Sequence, residues 1–178
     1  MKIPNKRKRG LELKNTILTL LNKQLNLEFR AFYFYLATST YFEDLSLTGM
    51  GKWMRHQSQE EHEHMMKIYH FLHDREQLPV FDAVPIPKVS PTSVEDAFRT
   101  SLEHEKLVTK SIHDIADKAL KEGDLATFQF LQWFIEEQVE EESQIQGILD
   151  KLSAYGEEPQ FLYLLDQELG TRSHDHDH

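Results

Sequence analysis

Apolar residues return along this chain at intervals of three and four, the spacing that gathers side chains onto one face of an α-helix. From about Leu13 to Thr40, Leu18, Leu21, Leu25, Phe29, Phe32 and Leu36 form such a stripe, and from about Ser46 to Arg75, Met50, Met54, Ile68 and Leu72 form another. Between Glu76 and Pro91 the pattern is broken by Pro79, Pro85, Pro87 and Pro91, so this stretch reads as an extended linker. Helical spacing resumes through Val94, Phe98, Val108, Ile112, Ile115 and Ala119, opened by Thr92 and Glu95 in the arrangement of a capping box. Gly123 suits a helix C-terminus and Asp124 an N-cap, so a tight turn leads into a fourth helix carrying Leu131, Phe134, Ile145, Ile148 and Leu152. Pro159 to Leu169 forms a short fifth helix, with Pro159 in its first turn.

Four helices of about 28 residues would each run roughly 42 Å, a length that belongs to a bundle. Short loops join the first helix to the second and the third to the fourth, while the linker is long enough to carry the chain back along the bundle. The expected fold is therefore all-α, a four-helix bundle with one long crossover between helices two and three and a short C-terminal fifth helix. Residues 13–170 form this domain, preceded by a basic arm over 1–12 and followed by a His/Asp tail over 171–178 that is expected to be disordered. There is no internal repeat.

Composition narrows the chemistry. The 178 residues contain no cysteine, which excludes disulfides, thiolate metal sites and cysteine nucleophiles and leaves oxygen and imidazole groups. The formal net charge is −10, although Lys2, Lys6, Arg7, Lys8 and Arg9 crowd the start, so nucleic acid is a poor partner for the body of the molecule. Lys6 to Arg9 leave open contact with an anionic surface, DNA or a neighbouring subunit, or a merely solvated arm. No apolar run is long enough to span a bilayer, no membrane partner is expected, and a cytoplasmic location is the default.

What interrupts the stripes is the informative feature. The second helix runs Met50, Met54, Gln57, Glu61, His64, Ile68, Leu72; the third runs Val94, Phe98, Ser101, Glu105, Val108, Ile112; the fourth runs Leu131, Phe134, Gln138, Glu141, Ile145, Ile148. Glu28 lies between Leu25 and Phe32 on the first. Each helix thus turns a carboxylate inward near its midpoint, and burying such groups unpaired costs several kcal/mol apiece. A pair of divalent cations would neutralise them, and glutamate oxygens with one imidazole suit iron or manganese. For any single position a polar, water-filled interior or a proton-uptake site is the alternative.

Asn26-Leu27-Glu28, the run Gln59 to Met65, His104-Glu105, and above all Phe130 to Phe134 with Glu137 to Glu142 resemble the bacterial non-heme ferritins, over about Lys14 to Gly170. Gln138-x-x-Glu141 on the fourth helix is similar to ferritin proper and unlike bacterioferritin or rubrerythrin, which carry a second Glu-x-x-His. The resemblance implies iron as the metal: a di-iron ferroxidase centre in which Glu28 and His64 hold the first iron, Glu61 bridges, and Glu105 with Glu141 hold the second, with Gln138 beside the pair. It implies that Tyr35 orients a ligand and supplies an electron, although a core aromatic with its hydroxyl bonded is the alternative. Glu60, Glu137 and Glu140, with Glu141, resemble the third iron site of prokaryotic ferritins; acidic runs also arise as solvated helix faces.

The implied function is iron storage: oxidation of Fe2+ by O2 or H2O2 and deposition of ferric mineral inside a homo-oligomeric shell of twenty-four subunits. No heme is expected, because Met50 and Met54 lie on an apolar stripe. Two other classes remain in view, an oxidase or peroxidase on the same bundle without storage, and a shell-forming subunit with a slow centre. The histidines at 56, 62, 70, 73, 104 and 113 are expected at the surface or at interfaces. His174, His176 and His178 could gather metal weakly or be a solvated end, and Trp53 and Trp133 are expected to serve packing.

Overall fold

A computed structural model of the chain describes residues 13–171. The basic arm over 1–12 and the His/Asp tail from 172 onward lie outside the described residues. Among the described residues there are five helices: α1 (Asn15–Asp44), α2 (Thr48–Asp74), α3 (Val94–Glu122), α4 (Leu125–Tyr155) and α5 (Pro159–Gly170). The first packs along α2 and α3, α3 packs along α4, and α5 closes the end of the bundle against α2. No helix among the described residues is long and apolar enough to cross a membrane.

The helix ends are fixed by identifiable groups. Gly123 takes the left-handed conformation (φ 73°) that ends α3, and Asp124 then accepts a hydrogen bond from the Thr127 N–H at 3.1 Å to open α4. The cap of α3 differs from expectation by one residue. Ser93, not Thr92, accepts from the Asp96 N–H at 3.1 Å, and Asp96 accepts from the Thr92 N–H at 2.8 Å. Thr92-x-x-Glu95 and Ser93-x-x-Asp96 overlap in sequence, and in the second Asp96 also takes the Thr92 hydroxyl, at 3.0 Å. Glu157, beyond α4, satisfies the Val94 and Glu95 N–H groups at 3.2 and 2.7 Å.

Asp124 does double duty, since both its oxygens also accept from the Arg75 guanidinium at 3.2 and 3.1 Å, tying the end of α2 to the start of α4. Both side chains are largely buried, so the pair is shielded from screening. Asp124→Ala is expected to cost about 2 kcal/mol, the sum of a lost cap and a lost two-bond ion pair, read in chemical denaturation.

At the other end, α5 approaches so closely that a Cβ on Gly49 would lie 1.9 Å from the Asp166 carbonyl oxygen. The Asp166 carboxylate reaches the start of α2 and accepts from the Met50 N–H at 2.8 Å. The crossover opens with Glu76 and Gln77 N–H groups bonded to the end of α2, and further along it takes hydrogen-bond partners from α1. Asn22 accepts from the Val80 N–H at 2.7 Å, while Asn26 donates to the Val80 carbonyl at 2.8 Å and accepts from the Asp82 N–H at 2.7 Å.

Two apolar clusters occupy the ends of the bundle. One includes Phe42, Met50, Trp53, Met54, Phe98 and Ile145; the other includes Leu21, Leu25, Ile68, Leu72, Ile112 and Phe134. Along every long helix the polar interruption falls between them. The stripe of α1 departs from the spacing drawn through Leu18, Phe29, Phe32 and Leu36. Past Leu25 the buried face runs Glu28, Ala31, Tyr35, Thr38, Phe42, and Leu36 is 41% exposed. Around the carboxylates the seam is built from polar and small side chains, so apolar spacing alone turned the inferred face by about one residue.

Candidate metal centre

The inward positions of four helices meet in the middle of the bundle. Glu28 from α1, Glu61 and His64 from α2, Glu105 from α3, and Gln138 and Glu141 from α4 are all buried. Glu28, Glu61 and His64 bring one ligand atom each within 4.8 Å of one another, as do Glu61, Glu105 and Glu141. Glu61 belongs to both groups, which makes the arrangement two adjoining sites with a shared carboxylate. His64 is one turn from Glu61, with Nδ1 3.6 Å from Glu61 Oε2 and Nε2 3.8 Å from Glu141 Oε1. Its ring is held edge-on by Trp133 and Phe134, at centroid distances of 5.3 and 5.8 Å.

The carboxylates are not equally provided for. Both Glu105 oxygens are hydrogen-bonded, Oε1 by the Tyr35 hydroxyl and Oε2 by Gln138 Nε2 at 3.2 Å. Glu28 receives one bond, from Gln24 Nε2 at 2.8 Å. Among the described residues no N–H or hydroxyl donor reaches either Glu61 oxygen, Glu28 Oε2 or Glu141 Oε2, and the Glu28 and Glu61 carboxyls face each other instead. Buried oxygens without donors are costly, and here they cluster at one point and converge from separate helices.

Their protonation reflects this. Burial pushes the Glu28 carboxyl up to about 7, with the Gln24 bond opposing and the Glu105 charge adding to the rise. Burial, then the charges of Glu105, Glu141 and Glu28, push Glu61 well up, and burial with the Glu105 charge does the same to Glu141. The Tyr35 phenol is driven upward by burial and by Glu105, so it stays a donor. Negative charges crowded away from water, with no Lys or Arg among them, form an environment that a multivalent cation relieves. Hard oxygens with one imidazole fit ferrous and ferric iron.

Other singled-out residues sit at graded distances from this point. Glu60 is buried and its charge bears on Glu141, Glu137 is half-buried, and Glu140 is exposed and accepts from Gln144 at 2.8 Å. None of the three belongs to either group of converging ligand atoms. Trp53 is buried in the apolar end. Trp133 is half-buried, with Lys67 Nζ 3.6 Å from its ring centre. Of the histidines, those at 62, 70, 73 and 113 are exposed, while His56 is half-buried and half-buried His104 stacks on Phe34 at 5.4 Å. Burial lowers the His104 pKa.

Sequence reasoning missed three groups around the ligands. Gln24 is fully buried one turn before Glu28, and Thr109 and Glu142 extend the hydrogen bonding beyond Gln138. Gln24 carried a usable signal: a polar residue on the stripe between Leu21 and Leu25, four before a buried acid. Thr109 carried none.

Residues 18–154 match the ferritin-like domain family, and the chain belongs to that family. It is 37% identical over 163 residues to a bacterial non-heme ferritin of Staphylococcus saprophyticus, covering 92% of this chain and 98% of that protein. A probable bacterial non-heme ferritin-like protein of Haemophilus influenzae is likewise 37% identical over 161 residues, covering 90% and 98% of the two chains. Among solved structures, the open pore ferritin of Archaeoglobus fulgidus superposes with a TM-score of 0.89 at 40% identity, covering 91% of this chain and 99% of that one.

Proposed function

We propose that this chain is an iron-storage ferroxidase that oxidises Fe2+ at a di-iron centre within each subunit and passes ferric iron into a shell of twenty-four copies in the cytoplasm. The observation that carries this reading is the convergence of Glu28, Glu61, Glu105 and Glu141 from four helices around one imidazole, with oxygens of Glu28, Glu61 and Glu141 left without donors. The names of the relatives support the iron chemistry and the shell.

In this reading Glu28 and His64 hold one ferrous ion, Glu105 and Glu141 the other, and Glu61 lies between them. Two ferrous ions held side by side can give one electron each to dioxygen, which takes up two protons and leaves as hydrogen peroxide without a superoxide stage. With H2O2 as oxidant, the two electrons and two protons give two waters instead. Carboxylate ligands favour the ferric product. Tyr35 holds Glu105 in place through its hydroxyl. Glu60, Glu137 and Glu140, with Glu141, constitute a third iron site on the way out of the centre, a role supported by the burial of Glu60 and by its charge acting on Glu141.

Stopped-flow oxidation at two Fe2+ per subunit, together with anomalous scattering at the iron edge from soaked crystals, tests this reading. Two iron peaks between the four helices and a fast phase that saturates at that ratio are expected. Iron bound only at the surface, with slow oxidation, would overturn it. A sizing column that showed a small oligomer would leave the oxidase chemistry but remove storage.

A further inference from the structure

A file of hydrogen bonds leads out of the centre along the seam of α3 and α4. Gln138, buried at 1% exposure, directs Nε2 at Glu105 Oε2 (3.2 Å), the Glu105 carbonyl (3.3 Å) and Thr109 Oγ1 (3.3 Å). Thr109 in turn donates to Glu142 Oε1 at 2.5 Å, a short bond of the charge-assisted kind. A threonine hydroxyl has a single proton, and an ionised carboxylate has none to give back. Thr109 therefore spends its proton on Glu142 and can present only lone pairs to Gln138.

The consequence falls on the amide. Every group around that corner of Gln138, the Glu105 carboxylate, the Glu105 carbonyl and the Thr109 hydroxyl, is an acceptor, so both amide protons are directed there. Gln138 Oε1 is left on the opposite edge, buried and accepting nothing. An inverted amide would set its carbonyl oxygen against three acceptors.

We infer that Thr109, polarised by Glu142, is a positioning residue that locks the Gln138 amide so that its carbonyl oxygen serves the second metal position, beside Glu105 and Glu141. This rests on the di-iron reading above and adds to it a reason why Gln138 is held in one orientation. Thr109 touches no metal and acts only through Gln138.

Binding of Zn2+, which is redox-inert, tests the inference independently of iron oxidation. Titration calorimetry on the assembled protein should include two ions per subunit held between the helices, and Thr109→Val should weaken one of these two, that beside Glu105 and Glu141, by about tenfold, the scale of one buried hydrogen bond. Thr109→Ser, which keeps the hydroxyl, should restore binding to within about twofold on the same scale. In a Gln138→Leu background the Thr109→Val penalty should vanish, because the residue through which Thr109 acts is gone. A penalty that persists in that background, or no penalty in the native one, overturns the inference. Failure of the unaltered protein to take up two Zn2+ between the helices would instead sink the di-iron reading itself.

Discussion

Glu61→Ala is expected to abolish the fast phase of Fe2+ oxidation, slowing it by about 100-fold or more, while the bundle stays folded. The magnitude follows from position. Even groups outside the ligand shell commonly change metal affinity or activity by 10- to 100-fold, and Glu61 alone stands in both groups of converging ligand atoms. Removing it deprives both positions at once, whereas removing Glu28 or Glu141 strips one. Gln24→Leu gives the graded comparison: it frees Glu28 to swing without removing a ligand, and a loss of about tenfold is expected. Stopped-flow absorbance at two Fe2+ per subunit reads both variants, with far-ultraviolet circular dichroism to check the helices. A normal fast phase in Glu61→Ala would mean that oxidation takes place elsewhere.

The ordering of these effects mirrors how the site was legible in the sequence. On α2, α3 and α4 a carboxylate breaks an apolar row flanked on both sides by residues that the fold does bury, so Glu61, His64, Glu105, Gln138 and Glu141 stand out by contrast. Helical periodicity is enough there because the row is straight and its apolar members are large. On α1 the same method found Glu28 but drew the stripe through Leu36, because Ala31 and Thr38 carry too little apolar surface to register as core. Gln24 interrupts the α1 stripe between Leu21 and Leu25 as a buried polar residue does, whereas Thr109 leaves no such mark. What Thr109 contributes is a hydrogen bond with the Gln138 amide across the α3–α4 seam, and such a bond leaves no periodic trace. The hold of Asn22 and Asn26 on the crossover is of the same kind, since it depends on a linker path that pattern alone does not give.

The metal-free protein should lose stability as the pH rises from about 5 to about 8, opposite to the usual response of a protein held by ionised carboxylates. The sign follows from proton counting. An unfolded Glu28 releases its proton near 4.5, whereas the folded one keeps it up to about 7. Across that window the native state binds more protons than the unfolded state, so its advantage is complete below the lower value and is lost as the pH passes the upper one. Glu61 and Glu141 are shifted in the same direction by burial and mutual repulsion, and extend the loss upward. His104 works the other way, because burial lowers its pKa and its neutral form is favoured as the pH rises. One imidazole offsets only part of the effect of three carboxyls. Asp96, Glu122 and Asp124, whose pKa values are lowered, lend stability that fades only in more acidic solution, outside the window. Glu28 alone corresponds to on the order of 3 kcal/mol, or roughly 6 to 12 °C in Tm for a chain of this size. Saturating Zn2+ should reverse the slope, because the metal takes only the ionised carboxylates and competes with protons for them. Calorimetric melting across this pH range, with and without Zn2+, reads the effect directly. The slope should flatten in Glu28→Gln with Glu61→Gln, two changes that preserve volume and remove the titrating groups. A metal-free Tm that climbs steadily through the window would show that these carboxyls are ionised and already compensated, and with that the need for cations at the centre would disappear.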